Sequence, residues 1–125
     1  MQMMKRVLVV DDSKIVLEKA LEALGCRGYE VSTALSADAA DAIIYSSSRP
    51  DIIILDVMMP VLDGDKKTRI LKADDATKGI PILLMSSKPE DELAALASES
   101  GADGYLRKPF ASDEMVQKIE STFRS

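Results

Sequence analysis

Apolar positions along this 125-residue chain follow two patterns that alternate from one end to the other. Short runs rich in branched side chains, at 6–11 (RVLVVD), 29–33 (YEVST), 51–56 (DIIILD), 80–86 (IPILLMS) and 103–107 (DGYLR), read as five strands bounded by turn residues. Between them, apolar residues recur at helical spacing. Ser13 is placed to cap a helix carrying Val16, Leu17, Ala20, Leu21 and Leu24 before Gly25, and Ser36 one carrying Ala39, Ala40, Ile43 and Ile44. A third helix is predicted over 64–73, where only Ile70, Leu71 and Ala73 are apolar, so Lys66, Lys67 and Lys72 read as a solvated face. The fourth begins at Pro89, a favourable first-turn residue, and carries Leu93, Leu96 and Ala97. Ser112 is read as the cap of the fifth, whose inner face is Met115, Val116, Ile119 and Phe123.

Strict alternation of strand and helix predicts parallel strands joined by right-handed crossovers. Runs without polar alternation, such as "IIIL" and "ILLM", predict strands covered on both faces. The expected fold class is α/β, a doubly wound parallel sheet with helices on both faces. The length suits a single domain over 1–125, and no repeat, linker or low-complexity tract divides it.

Composition narrows function by exclusion. A hydrophobic content of 46% with 30% charged residues describes a globular chain, and the net charge of -5 argues against a nucleic-acid surface. No apolar stretch nears the roughly 20 residues of a membrane span, and the opening residues lack a signal-peptide core, so no membrane association and a cytoplasmic location are expected. Cys26 is the single cysteine, which rules out an internal disulfide, and it reads as a small buried residue. Histidine is absent altogether. Without it there is no Ser-His-Asp or Cys-His catalysis, and carboxylates, lysine and hydroxyls are the remaining repertoire.

In an open α/β sheet, ligands bind beyond the carboxyl ends of the strands. Asp11 and Asp12 end the first predicted strand, Asp56 the third and Ser86 the fourth, while Lys108 follows the fifth. All of them gather at one edge. Three adjacent carboxylates repel one another unless a cation neutralises them or some take protons. Oxygen ligands suit magnesium, with Asp12 and Asp56 binding directly, Asp11 through water, and the backbone carbonyl of Met58 as a further ligand. A carboxylate held there can attack phosphorus to give an aspartyl phosphate, and Asp56 is the candidate nucleophile. Lys108 would supply positive charge to the transferred group, and the Ser86 hydroxyl a hydrogen bond. Taken singly, each residue has a plainer role: Asp11 and Asp12 as helix caps, Lys108 as a solvated lysine, Ser86 as a turn serine, Met59 as core, and Asp63 with Gly64 as a turn opening a helix. Convergence on one edge is what favours the chemical reading.

"VLVVDDS" at 7–13, "DIIILDVMMPVLDG" at 51–64, "ILLMSS" at 82–87 and "YLRKPF" at 105–110 together resemble the receiver domain of two-component response regulators, in order and over essentially the whole chain. The resemblance implies a flavodoxin-like sheet of order 2-1-3-4-5 and a phosphorylated signalling domain rather than a classical enzyme. It implies Mg2+ at Asp11, Asp12 and Asp56, and phosphotransfer to Asp56 from a phosphohistidine of a sensor histidine kinase or histidine phosphotransfer protein. Ser86 and Lys108 would contact the phosphoryl group, and the bond before Pro109 would be cis. Ser86 stands where threonine is more usual and Ser87 where alanine is common. Met58 and Lys88 occupy positions that flank the path of the hydrolytic water in such domains. Neither orients water, so slow self-dephosphorylation is expected.

Movement of Ser86 toward a phosphoryl oxygen would vacate space for the Tyr105 ring, so these two residues form the expected switch. The outcome would be a reshaped surface for a downstream target protein or a second copy. No output domain is expected after the fifth predicted helix, and a stand-alone monomer or weak dimer is expected. The alternative function is a degenerate receiver that binds proteins independently of phosphorylation. A haloacid-dehalogenase-type phosphatase would need an aspartate where Met58 stands, and a flavodoxin-type carrier a hydroxyl- and glycine-rich loop in place of "DDSKI".

Overall fold

The computed structural model describes residues 4–124; residues 1–3 and 125 of the expected domain lie outside the described residues. Strands β1 (Arg6–Val10), β2 (Glu30–Ala34), β3 (Ile52–Asp56), β4 (Ile82–Ser86) and β5 (Gly104–Arg107) alternate with helices α1 (Lys14–Gly25), α2 (Ala37–Ile44), α3 (Gly64–Ala73), α4 (Glu90–Ser100) and α5 (Ser112–Arg124). All pairings are parallel, in the order β2-β1-β3-β4-β5. This is the expected class and the expected order. The chain moves outward from β1 to β2, then crosses back to β3, so the order reverses between β1 and β3. A crevice opens at the carboxyl ends of these two strands.

Side chains two residues apart share a face of a strand, and the central strands divide their residues accordingly. Leu8, Val10, Ile53, Leu55, Ile82 and Leu84 pack with Ala37, Ala40 and Ile44 of α2, Leu71 of α3, and Leu93 and Ala97 of α4. Val7, Val9, Ile52, Ile54, Leu83 and Met85 pack on the other side with Leu17, Ala20 and Leu24 of α1 and Met115, Val116 and Ile119 of α5. Both faces are dry, which is why "IIIL" and "ILLM" show no polar alternation. Each fully buried leucine or isoleucine contributes about 1.5–3 kcal/mol relative to exposure, so these two layers hold the strand ends in a fixed frame.

The helices depart from the expected pattern where polar contacts override it. In α1 the inner face is Leu17, Ala20, Ala23 and Leu24, and Leu21 is exposed. In α3 the buried residues are Gly64, Lys67, Thr68 and Leu71, while Ile70 turns outward. Lys67 is buried and pairs with Asp41 of α2, and the Thr68 hydroxyl donates to the Gly64 carbonyl at 2.8 Å. Lys72 donates to Asp103 at 2.8 Å and to the Ile80 carbonyl at 3.0 Å. A solvated face therefore describes Lys66 but not Lys67 or Lys72. Buried polar groups of this kind persist because each has a partner.

Cys26 corrects another expectation, since it is exposed rather than buried. It closes the last turn of α1, beyond Leu24, where the chain peels away from the core. At α5, Ser112 is the first helical residue and not the cap. Ala111 holds the capping place: its carbonyl accepts from the amides of Glu114 and Met115, and its own amide donates to Glu114 Oε1 at 2.9 Å. That is the glutamate half of a capping box, made without a hydroxyl. Pro89 likewise sits at the N-cap of α4 rather than within it, ahead of Glu90, Asp91 and Glu92, whose charges complement the helix dipole. Among the described residues, no helix is long and apolar enough to cross a membrane.

Candidate functional site

The crevice is lined by charge. Asp11 follows β1 with its residue fully buried, and its two oxygens do different things. Oδ1 accepts from the Ser13 amide at 2.9 Å, while Oδ2 lies 2.6 Å from Lys108 Nζ. Oδ1 thus closes a turn ahead of Ser13, which is itself the cap of α1, while Oδ2 faces the lysine. Asp56 is the last residue of β3, only 4% exposed, and its Oδ1 accepts from Lys108 Nζ at 3.1 Å. Asp12 is exposed at the rim, and the three carboxylates each offer an oxygen within 4.8 Å of the others. Lys108 reaches them from the loop after β5, where its amide donates to the Ser86 carbonyl at 2.8 Å and its bond to Pro109 is cis, as expected.

Asp11 Oδ2 has ion-pair contact with Lys108 but no aligned hydrogen-bond donor. A buried carboxylate oxygen short of donors, with two more carboxylates beside it, is the donor set a hard divalent cation completes. Asp11, Asp12 and Asp56 can hold a metal ion.

The electrostatics are unbalanced in the same sense. Burial, then the Asp11 charge, pushes the Asp56 carboxyl up to about 6, against the downward pull of Lys108. Burial by itself would lower the Lys108 ammonium, but its contacts with Asp11 and Asp56 outweigh this and raise it. Lys108 therefore stays charged at neutral pH. One cation among three carboxylates leaves a net deficit of positive charge.

The segment after Asp56 is tightly turned. Val57 donates to the Met85 carbonyl at 2.9 Å, extending the sheet by one bond. The Leu62 amide donates to the Pro60 carbonyl at 2.8 Å across Val61, whose φ is 71°. This γ-turn is a strained conformation for a branched residue. The chain then returns so closely that a Cβ on Gly64 would stand 2.2 Å from the Asp56 carbonyl oxygen. Gly64, read from sequence as an ordinary turn, is the residue that lets α3 start against the end of β3. Its signal lay in the spacing after Asp56, but nothing in the sequence says what a glycine faces. Valine at 61 carries no sequence signal for a left-handed turn.

Asp11, Asp12, Asp56 and Lys108 are brought together; the remaining predicted residues are placed around them. Ser86 ends β4, is buried, and its hydroxyl oxygen accepts from the Lys88 amide at 3.1 Å. Strand alternation sets Ser86 on the α4 side of the sheet with Ile82 and Leu84, and Asp56 on the α1 side with Ile52 and Ile54. Met58, whose backbone carbonyl is the expected further ligand, is 62% exposed, while Met59 is core as expected. Tyr105 lies outside the crevice: its ring packs half-buried against the α4 side, its hydroxyl donates to Glu90 Oε1 at 3.3 Å, and Lys118 Nζ sits 5.1 Å from its ring centre.

The response regulator receiver domain family matches residues 7–120. The chain belongs to that family. This receiver domain is 42% identical over 120 residues to the transcriptional regulatory protein PrrA of Mycobacterium leprae, an alignment covering 95% of the chain and 50% of PrrA. It is 37% identical to the phosphate regulon transcriptional regulatory protein PhoB of Pseudomonas aeruginosa, over 96% of the chain and 52% of PhoB. The receiver domain spans about half the length of these curated relatives. Among solved structures it is similar to the chemotaxis protein CheY4 of Vibrio cholerae, with a TM-score of 0.88, 32% identity, and coverage of 96% of this chain and 99% of that one. Membership makes this a receiver domain, a phosphorylated signalling domain rather than a classical enzyme. The acidic group Asp11, Asp12 and Asp56 is consistent with the pocket of a phosphoacceptor aspartate in this family.

Proposed function

We propose that this receiver accepts a phosphoryl group on Asp56 from a phosphohistidine of a sensor histidine kinase or histidine phosphotransfer protein, with Mg2+ at Asp11, Asp12 and Asp56 and the Met58 carbonyl as a further ligand. The observation that carries this is the placement of Asp56, a nearly buried carboxylate at a strand end with its Oδ1 on Lys108 and two more carboxylates within reach. With Oδ1 held by Lys108, Oδ2 is the attacking oxygen. The Oδ2–P bond forms as the N–P bond of the donor breaks, and the electron pair returns to the imidazole nitrogen, which takes up a proton. Lys108, held on Oδ1, stabilises charge on the transferred oxygens. A bound magnesium supplies the positive charge that the three carboxylates and the phosphoryl group together lack.

Once Asp56 is phosphorylated, the Ser86 hydroxyl, whose oxygen accepts from the Lys88 amide, turns its proton to donate to a phosphoryl oxygen. Tyr105 then trades its Glu90 partner for an inward position, and the surface over α4, β5 and α5 changes for a downstream target. Met58 and Lys88 offer no group that orients water toward the phosphoryl group, in keeping with slow self-dephosphorylation. Intact-mass analysis after incubation with phosphoramidate and magnesium tests the core of this reading: wild type gains one phosphoryl mass and Asp56→Asn gains none. Equal gain in the variant overturns it.

A further inference from the structure

Lys108 projects from a loop, and its usefulness depends on where that loop is held. Residues 108–111 are anchored on one side by the Lys108 amide on the Ser86 carbonyl, at 2.8 Å, and at the far end by the Ala111 amide on Glu114 Oε1, at 2.9 Å. Pro109 has no amide hydrogen to contribute. Between these anchors stands Phe110, whose ring is buried in the layer that α1 and α5 share. Lys19, from the second turn of α1, takes hold of it twice. Its ammonium donates to the Phe110 carbonyl, and it lies 4.6 Å from the centre of the Phe110 ring. One cation thus grips both the backbone and the ring of the residue two places after Lys108. A separate ion pair, Arg27 just past α1 with Asp113 in the first turn of α5 at 2.9 Å, does not involve residues 108–111.

We propose that Lys19 is a positioning residue for the phosphoryl site: by clamping Phe110 to α1, it holds the Lys108 ammonium between Asp11 and Asp56. The contacts at 2.6 Å and 3.1 Å that Lys108 makes leave little latitude, and a displacement of about 1 Å at a catalytic group can cost up to about a hundredfold in rate. β4 supports the loop from one flank, and Lys19 supports it from the other. Without Lys19 the Phe110 carbonyl loses its side-chain donor, and the loop keeps only its end anchors on Ser86 and Glu114 and the packing of the ring. Lys108 keeps its charge but loses its fixed aim. This inference rests on Asp56 being the phosphoacceptor.

Two measurements on the same variants separate the possibilities. The first is the rate of phosphorylation by phosphoramidate in wild type, Lys19→Met, Lys19→Arg, Lys108→Ala and the Lys19→Met/Lys108→Ala double variant, with urea unfolding and magnesium affinity determined for each. Lys19→Met should be about five- to tenfold slower with magnesium affinity within about twofold of wild type. Lys19→Arg, which retains the donor and the charge over the ring, should recover most of the rate. In the Lys108→Ala background, Lys19→Met should slow nothing further, because its effect passes through Lys108. The second is the side-chain resonance of Lys108 by nuclear magnetic resonance without any phosphodonor, which should move or broaden in Lys19→Met. An unchanged rate in folded Lys19→Met, an equal slowing in the Lys108→Ala background, or an unmoved Lys108 resonance overturns the positioning role. A wild type that takes no phosphate while the Lys108 resonance still responds overturns the phosphoacceptor reading instead. Should Lys19→Met not fold, Lys19→Gln, which keeps an N–H donor without charge, carries the same comparison.

Discussion

The two edges of the sheet treat charge in opposite ways. At the amino edge each acid has its own donors. Asp51 accepts the Arg6 amide at 2.7 Å, and Asp103 accepts both the Ile82 amide and Lys72 Nζ at 2.8 Å. Asp74, in the connection leading to β4, accepts the Ala76 amide and the Tyr45 hydroxyl, and these contacts hold its carboxyl below the usual range. At the carboxyl edge three acids cluster around one lysine that pairs with two of them, Asp11 and Asp56, and Asp56 is pushed the other way, to about 6. The same residue type shifts in opposite directions because one environment supplies hydrogen bonds to the charged form and the other removes water and adds like charge. The amino edge fastens the crossovers into place. The carboxyl edge is left short of positive charge, and that deficit is what a bound cation would fill.

The sharpest way to break this contrast is Gly64→Ala. A Cβ 2.2 Å from the Asp56 carbonyl meets backbone that cannot yield like a side chain, so urea unfolding should show a loss of about 3 kcal/mol or more. Lys108→Met comes next, because it leaves the buried Asp11 carboxylate without its counter-charge. It should cost about 2 kcal/mol in the absence of divalent ions, with part of the loss restored by added magnesium.

Asp56→Asn should act with the opposite sign. The folded protein holds the Asp56 proton more tightly than the unfolded chain does, since its carboxyl sits near 6 rather than at the ordinary value of about 4. Stability is therefore given up as pH rises from about 4 through about 6, and the whole penalty is in force above that. Without magnesium, Asp56→Asn should be more stable than wild type by about 1–2 kcal/mol at pH 8, after allowance for solvent screening, and the gain should vanish below about pH 4. A gain that persists unchanged at low pH would mean that charge is not its cause.

The smallest effects belong to the amino edge. Asp103→Ala removes the acceptor shared by Ile82 and Lys72 and should cost about 1 kcal/mol. Glu30→Gln, which cancels the exposed pair with Arg6 at 3.2 Å, should change stability by less than about 0.5 kcal/mol. If Asp103→Ala cost as much as Lys108→Met, the two edges would not differ as described.

Sequence alone determined the class of fold, because alternation between branched runs and helically spaced apolar residues permits few arrangements, and parallel crossovers of one hand leave fewer. It also determined which residues meet at the carboxyl edge: Asp11, Asp12, Asp56 and Lys108 each end or follow a strand, and parallel strands deliver their ends to one side. Tertiary structure decided matters that depend on what lies opposite a residue. It buried Lys67 against Asp41 and turned Ile70 outward, because an ion pair on a neighbouring helix made a lysine the inner residue. It exposed Cys26, because α1 ends on the solvent side of Leu24. It gave the cap of α5 to Ala111 and Glu114 rather than to Ser112. It set Gly64 against the Asp56 carbonyl and Lys19 against Phe110, contacts that join segments distant in sequence or folded back on themselves. Local patterns report periodicity and strand ends, whereas a partner across a helix interface or a close backbone approach exists only once the layers have packed.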